Sequence, residues 1–207
     1  MTQILKKGST GLAVMAVQSR LHLIEDGIFG PLTEEAVRDF QRDRGVEPDG
    51  IVTPELFECM NQGMCRLVKS RRKISMIIVH CSATPEGKDV SVESIRSSHK
   101  AQGWSDIGYH YVITLSGDVK QGRNVDLIGA HCQGKNTNSI GVCYVGGVDK
   151  DGKPKDTRTE RQRIQLKQLL IQLLILYPGA RIYGHRDFAN KACPSFDATK
   201  EYKELRP

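Results

Sequence analysis

The sequence predicts an α/β domain, a mixed sheet flanked by helices, preceded by a small all-α domain of three helices. Three observations point there. The first 60 residues carry an internal repeat made of turn and helix signals. From residue 74 onward, short β-branched runs alternate with helical stretches, the order that packs helices against a sheet. Charge divides along the same line: residues 1–60 hold 6 basic and 10 acidic side chains, and residues 61–207 hold 24 and 14. A net of −4 followed by +10 marks a change of domain. The expected division is 1–60, a linker over 61–73, and 74–207.

In the first domain, Gly8-Ser9-Thr10-Gly11 leads into Leu12, Val14, Val17, Gln18 and Leu21 at helical spacing. Asp26-Gly27-Ile28-Phe29-Gly30-Pro31 then returns 23 residues later as Asp49-Gly50-Ile51-Val52-Thr53-Pro54. In each copy Asp-Gly makes a turn, the next apolar residue is buried, and Pro opens a helix. Three short helices joined by Asp-Gly turns follow. The domain has one histidine, His22, and no cluster of candidate ligands, so ordinary packing is expected of it. The segment from Asn61 to Lys73 carries Gly63 and a basic run, and is expected to be a solvated connector that extends a helix on one side.

In the second domain, Ile74–Val79 is an apolar, β-branched strand, and Ser91–Gln102 is a helix stopped by Gly103. Tyr109–Leu115 is a strand that turns at Ser116-Gly117-Asp118 into Val119–Gln121, a hairpin, and Ser139–Val145 is another strand. Thr159-Glu160-Arg161-Gln162 has the capping-box form and opens a helix through Leu176, ended by Pro178-Gly179. That helix is apolar on most faces, so it packs deep against the sheet. Arg181–His185 is a short last strand.

Composition removes several classes. No apolar run approaches the ~20 residues of a membrane span, so stable membrane insertion is not expected. Met1–Lys7 lacks the apolar stretch of an export signal. Aromatic residues are 6% of the chain, a poor supply for stacking nucleic-acid bases. Cysteines at 59, 65, 81, 132, 143 and 193 are expected as reduced thiols, because a chain this long needs no staples. The net charge of +6 suggests an anionic partner.

His80 closes the first strand of the second domain, His185 closes the last, and Cys193 follows eight residues later. Two strand ends and a nearby loop can converge. Two imidazoles and a thiolate suit zinc and leave its fourth position for water. On spacing alone, separately satisfied histidines remain the simpler reading.

Two sets of motifs change that weighting. Gly8-Ser9-Thr10-Gly11-x-x-Val-x-x-Val-Gln-x-x-Leu, followed by Asp26-Gly27-Ile28-Phe29-Gly30-Pro31-x-Thr-x-x-Ala-Val-x-x-Phe-Gln, resembles the three-helix peptidoglycan-binding domain over residues 5–60. Val79-His80-Cys81-Ser82-Ala83-Thr84, Gly108-Tyr109-His110, Gly129-Ala130-His131, Asn138-Ser139-Ile140-Gly141-Val142-Cys143, Gly184-His185-Arg186-Asp187 and Lys191-Ala192-Cys193-Pro194-Ser195-Phe196-Asp197 occur in one order. Together these resemble the zinc N-acetylmuramoyl-L-alanine amidase family, which includes the T-odd phage lysozymes and the peptidoglycan recognition proteins, over residues 74–203.

The resemblance implies Zn²⁺ held by His80, His185 and Cys193, a catalytic Tyr109 and a catalytic Lys191. It implies bacterial peptidoglycan as the partner, no nucleic acid, a monomer, and the modular layout of a phage endolysin. Such a protein is made in the host cytoplasm and released to the wall by a holin, unless it is an injected effector. The basic half would then attract the carboxylates of the wall's stem peptides.

Other residues carry plainer expectations. His131, in a Gly-flanked loop, is a candidate for the substrate cleft or else a solvent-facing loop residue, and His110 is expected in the core or behind a ligand. His99 is expected on a helix surface, and Asp187 either orients a ligand or caps a turn. Cys81, Cys132 and Cys143 are expected as small buried side chains. No Glu stands in an obvious base position. The competing readings are a thiol amidase using Cys81 or Cys193 as nucleophile, and a wall-recognition protein without catalysis.

Overall fold

The computed structural model describes residues 3–61 and 67–205, and the chain divides into two units, residues 1–64 and 65–206. The first unit holds α1 (Leu12–Arg20), α2 (Pro31–Asp43) and α3 (Pro54–Met60), with proline in the first turn of α2 and of α3. The repeat is a repeat of hydrogen bonds. Gln18 Nε2 donates to the Asp26 carboxylate (2.7 Å) and to Ile28 O (3.0 Å), while its Oε1 accepts from Gly27 N–H (2.9 Å). Twenty-three residues on, Gln41 does the same to Asp49 (2.7 Å), Ile51 O (3.1 Å) and Gly50 N–H (2.9 Å). Gly27 and Gly50 stand at φ +71° and +76°, the left-handed region these turns require. Leu5 and Val52 exchange backbone bonds of 3.0 and 2.8 Å, tying the start of the unit to the second turn. Leu5, Val14, Val17, Phe29, Val37, Val52 and Phe57 form the core beneath.

The second unit runs β1 (Met76–Cys81), β2 (Thr84–Pro85), α4 (Val92–Ala101), β3 (Tyr111–Ile113), β4 (Val119–Gln121), β5 (Ser139–Tyr144), β6 (Gly147–Val148), α5 (Glu160–Leu176), β7 (Arg181–Gly184) and α6 (Ala198–Glu201). Five strands make one mixed sheet in the order β4-β3-β5-β1-β7. All pairings are parallel except β3 with β4, the expected hairpin. β2 and β6 form a separate two-stranded pair. Because β1 lies inside the sheet, Ile77, Ile78 and Val79 are all fully buried, which explains its unbroken apolar run.

The capping box of α5 is present: Thr159 Oγ1 accepts from Gln162 N–H, and Gln162 Oε1 accepts from Thr159 N–H. Gln162 Nε2 also donates to Thr114 O and Val145 O, pinning the helix start to the ends of β3 and β5. Leu166, Leu169, Leu170, Ile171 and Leu173 of α5 are completely buried.

Two arginines organise the long connection between β4 and β5. Arg123 donates to the carbonyls of Ile107, Ile128 and Asp106, and Arg72 to those of Val125, Asn136, Thr137 and Ser139. Arg72 belongs to the segment expected as a solvated connector. Instead Ser70 N–H donates to the Tyr177 hydroxyl (2.7 Å) and Ser70 Oγ to Val125 O (2.8 Å), so residues 70–72 are stitched into the second unit. The expected linker was also read as extending a helix on one side; its residues 62–66 lie outside the described residues.

Candidate metal centre

Parallel pairing of β1 with β7 sets Val79 opposite Gly184, so the residues that follow, His80 in β1 and His185 just past the end of β7, are side by side. Their ring centroids are 4.6 Å apart. His80 lies within β1, whereas His185 opens a 3₁₀ turn after β7. Asp187 fixes that turn by accepting from Gly184 N–H (2.9 Å) and from the Thr199 hydroxyl (2.5 Å). Of the two roles open to Asp187, this is the turn cap. Arg186 N–H donates to Cys193 O (2.7 Å), folding the following loop back. Cys193 Sγ thereby reaches the N–H of Cys81 (3.3 Å) and stands 3.8 Å from His80 Nδ1.

One donor atom from each of His80, His185 and Cys193 lies within 4.8 Å of the others. Tetrahedral zinc with nitrogen at ~2.0 Å and sulfur at ~2.3 Å separates its ligands by about 3.5 Å. The 3.8 Å between His80 Nδ1 and Cys193 Sγ is close to that edge. The donor set and its spacing fit zinc. Burial holds the His80 imidazole well below its ordinary value, with His131, His185 and Lys191 adding to the effect. His185 is lowered by burial and then by Lys191. Both rings are therefore neutral, the form that ligates a metal. Cys81 and Cys193 lie against each other: the hydrogen bond between the two thiols pushes Cys81 down to about 7 and Cys193 up, and burial adds to the rise of Cys193, so only one of the two ionises.

Tyr109 precedes β3 and its ring centroid is 5.2 Å from that of His80. Burial beside the thiols of Cys143, Cys193 and Cys81 pushes its phenol well above the usual value, so it remains a neutral donor. Lys191 is exposed on the loop before Cys193, close enough for its charge to depress both His80 and His185. A cavity of about 450 Å³ opens beside Tyr109, lined by Ser82, Thr84, Ser94, Ser98 and His99 among others.

His99 differs from its expected place on a helix surface. It is half-buried, its Nδ1 accepts from Gly108 N–H (3.0 Å), and its ring packs on Trp104 (4.5 Å) and Tyr109 (5.3 Å). Its position one turn after the buried Ile95 was the available signal. His131 does not face solvent: it is buried beneath the centre, with Nδ1 3.0 Å from His80 Nε2. His110 is in the core, as one of its readings had it: Nδ1 accepts from Gly141 N–H and Nε2 donates to Leu127 O. Cys81, Cys132 and Cys143 are buried.

Comparison with known proteins agrees with this arrangement. The family model described as N-acetylmuramoyl-L-alanine amidase matches residues 70–196. A peptidoglycan binding domain model matches residues 10–60. The endolysin of Klebsiella phage KP32 is 46% identical over 134 residues, 65% of this chain and 89% of that protein. The endolysin of Escherichia phage T7 is 46% identical over 136 residues, 66% of this chain and 90% of that protein. Among solved structures, the N-acetylmuramoyl-L-alanine amidase LysC from Clostridium intestinale URNW has the same fold, with a TM-score of 0.56 at 23% identity over 69% of this chain and 95% of that one. With more than half of its length matched by the amidase model, and with nine-tenths of two phage endolysins aligned to it, this chain belongs to the N-acetylmuramoyl-L-alanine amidase family.

Proposed function

We propose that the second unit hydrolyses the amide joining the lactyl group of N-acetylmuramic acid to L-alanine of the peptidoglycan stem peptide. In this reading His80, His185 and Cys193 hold zinc, and Tyr109 and Lys191 are the catalytic side chains. The observation that carries it is the convergence of two imidazoles and a thiol within 4.8 Å beside Tyr109. When bound, zinc supplies Lewis-acid chemistry, polarising an amide carbonyl and making water nucleophilic near neutral pH.

The chain's own residues do the rest. The neutral phenol of Tyr109 holds the attacking water by a hydrogen bond and relays its proton: the phenol proton goes to the departing amine and the one the water gives up replaces it, leaving the phenol neutral. Lys191 places a positive charge where the tetrahedral oxyanion forms. The cavity lined by Ser82, Thr84, Ser94 and Ser98 offers hydroxyls to the polar backbone of a stem peptide. The first unit serves as a wall-binding module that raises the local concentration of the hydrolase on an insoluble polymer. The protein acts as a monomer, is stored in the host cytoplasm and reaches the wall through a holin, and it lyses the host.

Digestion of purified peptidoglycan with mass analysis of the products tests the reaction. Free stem peptides beginning with L-alanine are expected, and cut glycan strands would overturn the reading. A thiol amidase is favoured by one observation, the 3.8 Å between Cys193 Sγ and His80 Nδ1. Chelation separates the two: the zinc enzyme stops in chelator and recovers with Zn²⁺, whereas a thiol enzyme keeps working.

A further inference from the structure

We propose that His131 is a positioning residue for the metal centre: it accepts the Nε2 proton of His80 and holds that ring in the tautomer and orientation that present Nδ1 to a metal ion. The inference rests on the zinc reading above and adds to it a buried relay that stands behind the ligands.

His80 uses its two ring nitrogens in opposite directions. Nδ1 faces Cys193 Sγ at 3.8 Å, and Nε2 faces His131 Nδ1 at 3.0 Å. A neutral imidazole carries one proton. If Nδ1 is to ligate, the proton belongs on Nε2, and His131 Nδ1 must then be an acceptor. The proton of His131 is thereby assigned to its Nε2, which stands 3.2 Å from Ser139 Oγ. Ser139 is fully buried at the start of β5. The order His80 Nε2–H to His131 Nδ1, then His131 Nε2–H to Ser139 Oγ, satisfies every ring nitrogen that does not face the metal. The reverse order, His131 Nδ1–H to His80 Nε2 with Ser139 Oγ donating to His131 Nε2, would put the His80 proton on Nδ1, the atom that faces the metal.

The surroundings hold the His131 ring in this one pose. A Cβ on Gly129 would stand 2.5 Å from the ring, and a Cβ on Gly141 would stand 2.6 Å from it, so two glycines form a slot of the ring's thickness. The backbone is fixed as well: the N–H groups of His131 and Cys132 both donate to Asn136 Oδ1, at 3.0 and 2.9 Å. Arg72 holds the carbonyls of Asn136 and Thr137, and Arg123 holds that of Ile128. Partners of ligating histidines of this kind change metal affinity by ~10–100-fold when removed.

The test is made on the full chain freed of metal, with zinc affinity read by competition against a chromophoric chelator. His131→Leu is expected to weaken zinc binding about 10–100-fold. His131→Asn, whose Oδ1 replaces the Nδ1 acceptor, is expected to recover most of the loss. Thermal melts of the metal-free variants separate positioning from packing, because a ring that only fills space would lower the melts and leave zinc affinity unchanged. A measurement on the unsubstituted protein does not depend on any variant folding: long-range ¹H–¹⁵N spectra of the histidine rings should show both His80 and His131 protonated at Nε2. Zinc binding by His131→Leu as tight as the parent's overturns the proposal, as does a proton on Nδ1 of either ring. If the parent takes up no zinc, the reading of the centre falls and this proposal with it; unchanged affinity in His131→Leu removes the positioning role alone.

Discussion

Tyr109 and Lys191 stand on different elements, and neither is one of the three residues whose donor atoms could hold a metal ion. Substituting them should therefore separate binding from turnover. Tyr109→Phe and Lys191→Ala should each retain one zinc per chain by metal analysis while stem-peptide release falls ~100-fold or more. Full activity in either variant would remove that residue from the mechanism. His110 makes a second prediction at this scale, for the metal-free protein. Burial, with the guanidinium groups of Arg72 and Arg123 nearby, pushes its imidazole down from 6.5 to about 4. Between those values the unfolded chain binds a proton that the folded chain refuses. Stability from this group is thus complete above pH 6.5 and is lost as pH falls towards 4. The shift corresponds to roughly 3 kcal/mol. Urea denaturation at pH 7.5 and 4.5 checks it, with equal stability at the two values counting against it.

Individual elements owe their ends to single polar side chains. Gln41 closes the second turn of the repeat, and Gly50 N–H loses its buried acceptor when that side chain is removed. Gln41→Ala should lower stability by about 1–3 kcal/mol, and Gln18→Ala should do the same to the first copy. For α5, Thr159→Ala opens one side of the capping box and should lower stability by ~1 kcal/mol. Chemical denaturation of the full chain measures all three. A neutral Gln41→Ala would show that the repeated clasp is decoration on the helices and does not hold the turn. Strand β1 illustrates the same dependence from the other side: its pairing with β7 is what brings His80 to His185, and no local signal in either strand contains the other.

At the scale of the molecule, the second unit starts earlier than its first strand. Ser70 and Arg72 bond to Tyr177, Val125 and Asn136, well before Met76 opens the sheet. A truncated chain of residues 67–207 should fold and retain zinc, whereas one of residues 74–207 should melt on the order of 5 °C lower. Equal melting temperatures would show that the segment is dispensable. The relatives make the shorter chain reasonable, since two-thirds of this chain accounts for nine-tenths of the T7 endolysin. Removing the first unit should leave the rate on soluble fragments unchanged and reduce sedimentation with intact walls, which a pull-down on purified sacculi would read.

Much of this protein was determined by sequence alone, where the cause is local. Asp-Gly turns, proline at helix starts, the capping box at Thr159 and the apolar run before His80 each act within a few residues. The order of helices and strands was accordingly legible, and the family motifs named His80, His185 and Cys193, whose donor atoms lie within 4.8 Å of one another. Tertiary structure decided what depends on partners far along the chain. His131 is 51 residues from His80, and only the parallel strands and the glycine slot bring their rings together. His99 faces the groove because Gly108 donates to it, and Arg72 leaves the expected linker because carbonyls 53 to 67 residues away need a donor. A side chain's spacing shows which element carries it. The buried hydrogen bonds that assign its role are set by which elements fold against one another.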